Sequence, residues 1–405
     1  MVKTQGSRRT ALVIGCGIGG PVAAMALQQA GIEPTIFEAR EESADFAGLF
    51  LNLASNGLDA LDAIHAQNSV LAQGFPTPRM VMWSGSGKRL GEVANGVTLS
   101  NGVTSMTVDR GTLHSALRNQ AIARGITIAS GKRLVSAEPA NGGVMARFAD
   151  GTEEHGSVLV GADGIHSQTR RLIDPAAPAS RYTGQLSLGG RARLQTVSPT
   201  PNTFNMIFGR RAFFGYSVPT PGDVLWFANV SFTGEPTRDR LAAIPAGQWK
   251  QTLIDLFAGD AGPAAEIVGA TAEATLAAFP IHDMPAVPIW HRGAMVLLGD
   301  AAHATSPSSG QGASMAIEDA IVLAKCLRDG TSVAAAFAAY ERERRARVQR
   351  VVAYSARVGS TKIAGPVARW FRDLLMPVAL KLFAGSDAHA WLNGHHIEWN
   401  DLKSN

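Results

Sequence analysis

Cysteine is scarce: Cys16 and Cys326 are the only two in 405 residues. One lies in a glycine-rich stretch and the other on a predicted helix, so a disulfide framework is excluded and a reducing compartment fits. No CxxC or HExxH spacing occurs, which leaves no readable metal site. No apolar run reaches membrane-spanning length. Lys3, Arg8 and Arg9 precede an apolar stretch, but residues 11–14 are too short for the core of a secretion signal and run straight into glycines. Charged residues make up only 17%, and the net charge of +4 is spread along the chain, which says little for nucleic acid. Against these absences stand 46% apolar residues, enough for a sizeable core. The expectation is a cytoplasmic protein of more than one domain, with no metal, no nucleic-acid partner and no membrane span.

Residues 10–14 read as an apolar strand, 21–30 as a helix closed by Gly31, and 35–38 as a second strand, the opening of a dinucleotide-binding fold. Between strand and helix stand Gly15, Cys16, Gly17, Ile18, Gly19 and Gly20. Gly15 permits the tight turn, Gly17 lets the backbone approach a pyrophosphate, and Gly20 lets the helix pack on the strand. The helix N-terminus offers N–H groups and a positive partial charge to phosphate. Glu38 ends the second strand, where a carboxylate takes adenosine ribose hydroxyls, and Ala39 and Arg40 follow at the same edge. The motif indicates an ADP-containing ligand and does not separate FAD from NAD. Gly85-Ser86-Gly87-Lys88 lacks a phosphate-loop ending and reads as a hairpin turn, as does Asp150-Gly151. The strand–GxGxxG–helix pattern occurs once, which gives one full dinucleotide fold.

Two later motifs bear on the ligand. Gly161-Ala162-Asp163-Gly164-Ile165-His166-Ser167-Gln168-Thr169-Arg170 ends a strand. Its carboxylate and arginine can contact phosphate or ribose, or the segment is an ordinary turn capped by Ser167; both readings stand. Gly299-Asp300-Ala301-Ala302-His303, then Pro307 and Gly310-Gln311-Gly312-Ala313, follow a buried-type strand and open a helix over 313–327. Asp300 can bond a ribityl or ribose hydroxyl. The helix N-terminus can stabilise the negative charge that a reduced flavin carries near N1 and O2.

From about 181 to 280, β-branched and aromatic residues predict a mostly antiparallel sheet. The fold class is α/β: a Rossmann-type FAD-binding domain with a mixed sheet, interleaved with an α+β substrate domain on a mostly antiparallel sheet, plus C-terminal helices. The expected boundaries are 1–75, 105–178 and 286–335 for the FAD-binding domain, 76–104 and 179–285 for the substrate domain, and 336–405 for a C-terminal helical region. Phe214, Tyr216 and Trp226 are candidates to line the substrate pocket, with core packing claiming at least half of them. Arg193 alternates with Arg191 on a predicted strand and is placed to meet a polar or anionic substrate group. His303 is read as a structural hydrogen-bonder, and His282 as near the substrate cavity without a catalytic role. The basic run 340–350 reads as a solvated helix face with the i,i+4 pairs Glu341–Arg345 and Glu343–Arg347. The apolar stretch 370–383 reads as core or subunit packing in preference to membrane-surface contact.

In their order and spacing these motifs resemble the single-component FAD-dependent aromatic hydroxylases, the para-hydroxybenzoate hydroxylase-like flavoprotein monooxygenases. The resemblance covers most of the chain. It rests on residues 15–20 with Glu38, on Asp109-Arg110-Gly111-Thr112-Leu113, on residues 161–170, and most specifically on LLGDAAHATSPSSGQGASMAIEDA ending at Ala320. It implies tightly but non-covalently bound FAD. Glu38 would bind the adenosine ribose and Arg110 the pyrophosphate. Asp163 and Gly164 would contact FAD and NAD(P)H, Gly299 and Asp300 a ribose or ribityl hydroxyl, and Pro307 with residues 310–313 the isoalloxazine. NAD(P)H, with NADPH ahead of NADH, would be the co-substrate and dock without a domain of its own. The activity implied is insertion of one oxygen atom from O2 into a small aromatic or polycyclic substrate through a C4a-hydroperoxyflavin, the flavin carrying the chemistry and no side chain acting as nucleophile. Hydroxylation leads; epoxidation, Baeyer–Villiger insertion, a non-oxygenating FAD reductase and a small-molecule-binding flavoprotein remain alternatives. The chain lacks the WxWxIP motif of flavin-dependent halogenases and the thioredoxin-like extension of some members, and a monomer or homodimer is expected.

Overall fold

The computed structural model describes residues 9–41, 50–362, 365–383 and 390–400. Lys3 and Arg8 lie outside them. The strand Thr10–Ile14 is central in a six-stranded sheet of order His291–Arg292, Met295–Leu297, Val158–Gly161, Thr10–Ile14, Glu33–Phe37, Thr127–Ala129. Every neighbouring pair is parallel except the His291–Arg292 edge. Parallel central strands are covered on both faces, which is why Leu12, Val13 and Ile14 form an unbroken apolar run in place of an alternating one. Helix Gly19–Gln29 packs on this sheet, and helix Gly312–Asp329 lies beside it. Fourteen of the eighteen residues of the latter are buried, Glu318 and Asp319 among them, so its charges require partners inside the protein.

The second large sheet has seven strands in the order Ala277–Asp283, Arg181–Leu194, Gly222–Ser231, Phe213–Thr220, Thr203–Phe208, Arg79–Ser84, Arg89–Ala94. Only the Thr203–Phe208/Arg79–Ser84 pair is parallel. The sheet is thus assembled from two separate stretches of chain, and the architecture is the interleaved α/β one expected. Paired residues share a face, and period two separates the faces. Phe214, Tyr216 and Trp226 point to the side covered by helices Ala246–Phe257 and Ala264–Gly269. Phe214 stacks on Trp226 at 5.5 Å and meets Phe257 edge-on at 5.1 Å, and Trp226 Nε1 donates to Thr271 Oγ1 at 2.8 Å. Phe204, Phe213 and Phe227 occupy the other side; Phe204 and Phe227 meet Phe50 of the strand Phe50–Leu53, and Phe213 packs on Phe227.

Two readings of the C-terminal region are corrected. The helix expected to show a solvated basic face, Val333–Lys362, buries Arg344 completely and turns Arg347 inward to Glu318; the Glu341–Arg345 pair forms as expected. A surface helix and a helix lying across a buried acidic one have the same charge pattern, and packing decides between them. Of core or subunit packing, only the core half is corrected for helix Pro366–Phe383: Trp370, Phe371, Leu374 and Leu375 are exposed in the single chain. No helix among the described residues is long and apolar enough to cross a membrane.

Candidate active site

The glycine loop forms one wall of a cleft of about 730 Å3. Gly15 has φ +101°, and a Cβ on it would stand 2.6 Å from the Ala162 carbonyl oxygen. A Cβ on Gly20 would lie 1.9 Å from the Gly15 carbonyl oxygen, whereas one on Gly17 would meet nothing within 4 Å. The first two glycines therefore let the backbone close on itself, and the third leaves it open towards the cleft. Glu38 is fixed by two backbone donors, Cys16 N to Oε2 at 2.8 Å and Arg40 N to Oε1 at 3.0 Å. It lines the cleft with Gly15, Gly17, Ala39, Arg40, Asp163 and Gly164. Ile18, Gly19 and Gly20 begin the helix, and no side chain caps it.

Sequence reasoning did not find Arg118, Lys132, Arg133 and Arg171, which give this cleft a cationic lining. They come from segments with no motif, and only the folded register brings them together. His114 Nε2 meets the Cys16 carbonyl at 2.5 Å and pins the loop from behind. Cys16 is buried, and burial followed by the charge of Glu38 pushes its thiol up to about 11, so it stays protonated. Asp163 is already committed: it accepts from Ser167 Oγ at 2.5 Å and from Thr169 N and Oγ1 at 2.9 and 3.0 Å, so its first task is to hold its own turn. Arg170 runs inward and donates to Ala301 O at 3.0 Å, tying this segment to the one that carries Asp300.

The second half of the site is the loop before helix Gly312–Asp329. Pro307–Ser309 is a short 3-10 turn, Gly310 is left-handed at φ +66°, and no side chain caps the helix at Gln311. A Cβ on Gly312 would meet nothing within 4 Å. Ala313 is half-buried beside it. The Gln311 side chain points away from this opening, bonding Asn56 at 3.1 Å and Asn393 at 2.6 Å, so only its backbone faces outward. Asp300, the first residue of the short helix Asp300–His303, is exposed. Desolvation by the protein around it nonetheless raises its pKa, opposed by the charges of His303 and Arg110, which places Arg110 and Asp300 in one neighbourhood. Behind the loop, Asp319 accepts from Gly299 N at 2.9 Å, from His303 Nε2 at 2.5 Å and from Arg344 Nε at 2.7 Å. Glu318 takes Arg344, Arg347 and Asn56 at 2.6–2.8 Å. His303 is thus a structural partner of Asp319.

Asn52, also missed from sequence, joins the two halves. It lies 3.5 Å from where a Gly310 Cβ would be and accepts from Asn95 Nδ2 at 2.7 Å. Two residues earlier on the same strand face, Phe50 packs on Phe204 and Phe227 at 5.7 and 6.1 Å. One face of this strand therefore links the loop at Gly310 to Phe204 and Phe227. The expected pocket aromatics are corrected accordingly: Phe214, Tyr216 and Trp226 face the opposite core, because the helices over 246–269 cover that parity. Arg193 is corrected too. Its side chain is 83% exposed and its partner is Asp223 at 3.7 Å. His282 pairs with Glu235 at 2.8 Å and its ring lies 6.1 Å from that of His166, at the cleft's outer edge.

A cleft walled by one glycine loop and lined with cations, tied through Arg170 to a second glycine loop backed by buried carboxylates, is the arrangement of a flavin-binding oxidoreductase site. A family model described as "FAD binding domain" matches residues 8–355. The chain belongs to this family, the single-component FAD-dependent aromatic hydroxylases, and is a flavin-dependent monooxygenase that binds FAD. It is 30% identical over 369 residues to an aurachin C monooxygenase/isomerase of Stigmatella aurantiaca, covering 91% of this chain and 93% of that one. It is 31% identical to a 6-hydroxynicotinate 3-monooxygenase of Bordetella bronchiseptica, with 86% and 91% covered. The solved structure of Klebsiella pneumoniae HpxO complexed with FAD and uric acid superposes with a TM-score of 0.83 at 26% identity, over 95% of this chain and 97% of that one.

The buried charges behind the loop set a pH dependence. His395 is pushed down to about 4, mainly by burial. The unfolded chain therefore takes up this proton first as pH falls through 6.5, and stability declines from there towards 4. Burial alone would raise Glu318 and Asp319, but the charge of Arg344, joined by Arg347 for Glu318 and by His303 for Asp319, outweighs it and holds both below their ordinary values. Their contribution is present above about 4.5 and is lost as pH falls further. Thermal unfolding should show a midpoint that declines below pH 6.5 and more steeply below 4.5, with His395→Phe reducing the upper limb, to which His166, also held down by burial, contributes. A midpoint flat across this range would contradict it.

Proposed function

We propose that the protein uses NAD(P)H, with NADPH preferred, and O2 to hydroxylate an uncharged aromatic or polycyclic small molecule. The observation that carries the substrate class is the aromatic wall of Phe50, Phe204 and Phe227, continued by Phe213, with Met80, Met82 and Met206 on the same sheet face. When bound, FAD supplies the redox chemistry and the activation of O2. The residues fit it: Gly17 and Gly312 leave backbone open to a ligand, and the helices that follow them have no side-chain cap.

In this reading Glu38, oriented by two backbone N–H groups, accepts from the adenosine ribose. Arg110 neutralises the pyrophosphate. Asp300 accepts from a ribityl or ribose hydroxyl. The N-terminus of helix Gly312–Asp329 stabilises negative charge at the isoalloxazine edge, and Pro307 and residues 310–313 line that ring. The phenylalanine wall orients the substrate and keeps water out. No second dinucleotide fold exists among the described residues, so NAD(P)H would dock without a domain of its own, with His166 and Arg171 of the cleft lining as the groups that would meet it. A cytoplasmic monomer or homodimer completes the proposal. A screen of neutral aromatic compounds should find one that stimulates NADPH oxidation and gains one atom from isotopically labelled O2. Full turnover with a label-free product would sink the reading.

A further inference from the structure

Nine large apolar side chains are exposed among the described residues, and six of them, Val367, Trp370, Phe371, Leu374, Leu375 and Val378, belong to the single helix Pro366–Phe383. Their spacings of three, four, seven, eight and eleven residues put them on one stripe. Each is 51–71% exposed. The stripe is not the consequence of a loosely attached helix. On the inner side Met376 packs with Leu90, Phe208 and Phe213, Leu380 abuts Gly91, and the Arg372 guanidinium lies over the Phe208 ring at 4.7 Å. The helix is seated by one side, and that seating turns the apolar stripe outward. Isolated exposed apolar residues need no explanation, but a contiguous stripe of this kind marks a contact surface.

The rim of the stripe is cationic. Lys88 Nζ donates to the Asp373 carbonyl at 3.2 Å; Arg210, whose carbonyl accepts from the inward-turned Arg369 at 2.9 Å and whose backbone N–H donates to Asp260, is exposed, as is Arg211. The acidic group within the helix, Asp373, is held by Arg372 at 2.9 Å. An aromatic and aliphatic stripe edged by lysine and arginine, on a helix that does not span, is the pattern of an element lying in the plane of a membrane surface.

We propose that helix Pro366–Phe383 docks the protein on an anionic lipid surface, with the stripe entering the headgroup boundary and the exposed Lys88, Arg210 and Arg211 facing lipid phosphates. Charge decides against a second copy as the occupant. A two-fold self-contact would bring the same cationic rim against itself, whereas anionic headgroups complement it. The seated side of the helix, through Met376, borders the Phe213 and Phe227 cluster of the wall assigned above to the substrate. The docking proposal stands without that assignment.

The test uses the full chain loaded with FAD. It should sediment with vesicles of phosphatidylcholine mixed with phosphatidylglycerol, far less with phosphatidylcholine alone, and less as salt rises. The variant Trp370→Ser/Leu374→Ser/Leu375→Ser should keep its flavin absorbance and thermal midpoint and bind the mixed vesicles at least about tenfold more weakly. Leu374→Glu alone should act in the same direction with a minimal change of sequence. Failure of the FAD-loaded protein to bind mixed vesicles, or equal binding by the variants, would overturn the proposal. So would a dimer in vesicle-free light scattering that the triple variant dissolves, since the stripe would then be covered by a second copy. None of these outcomes depends on turnover, so the oxygen-insertion reading is tested separately in vesicle-free buffer.

Discussion

Arg344→Met is expected to cost about 3–5 kcal/mol of folding stability, the range for breaking a buried ion pair by removing one partner. The guanidinium is 1% exposed and bonds Asp319 through Nε at 2.7 Å and Glu318 through Nη1 at 2.6 Å, and both carboxylates are fully buried. Methionine can fill much of the volume but leaves Asp319 with only His303 and the Gly299 N–H, and Glu318 with only Arg347 and Asn56. The loss should appear as a lower denaturant midpoint with an unchanged slope. It should also weaken FAD retention, because Asp319 positions Gly299 one residue before Asp300. Arg147→Met, which removes an exposed partner of Glu153, should leave the midpoint where it was. Equal midpoints for the two variants would show that the cluster behind the loop is not what secures it.

Gly20→Ala is expected to strip the protein of FAD and destabilise it together. The added methyl would sit 1.9 Å from a backbone oxygen, that of Gly15, and backbone cannot step aside as a flexible side chain can. Helix Gly19–Gln29 must lift off its strand, which costs about 1–3 kcal/mol and weakens FAD binding roughly 10- to 100-fold. Gly17→Ala separates the two effects. Its methyl meets nothing within 4 Å of protein, so the apoprotein should melt as before while the approach of the pyrophosphate is blocked. Flavin titration and the apoprotein melting temperature, measured on both variants, check the pair. A Gly17→Ala protein that binds FAD normally would mean that the phosphates do not approach there.

The strand, glycine loop, helix and Glu38 were legible because their geometry is local: φ at Gly15, a close approach at Gly20 and the end of the neighbouring strand are set within thirty residues. The loop from Gly299 to Ala313 was legible for the same reason. The pocket wall was not. Along Phe213, Phe214, Gly215 and Tyr216 both parities are apolar, and only the helices over 246–269 determine which one becomes core. A signal did exist. The residues sharing a face with Phe213 and Phe227 include Ser187, Gly189, Gly215 and Ser217, small side chains that leave room in front of a sheet, whereas the other face has Leu186, Leu188 and Val218. The buried ion cluster was hidden because Arg344 and Arg347 sit in a run of charges that would suit a surface equally well. Its visible half was Glu318 and Asp319, two adjacent acids in an otherwise apolar helix.

The hydrogen bonds that close the flavin loop also impose an order on biosynthesis. Asn56 is among the first residues of the site to leave the ribosome, yet its partners Gln311 and Glu318 follow 255 and 262 positions later, and Gln311 in turn waits for Asn393. A nascent chain can thus shape the glycine turn that meets the ADP half long before it can hold an isoalloxazine. Firm cofactor loading is therefore an event of the finished polypeptide, and truncation near residue 390 should yield a colourless protein even though every cofactor-contacting residue named above has been made.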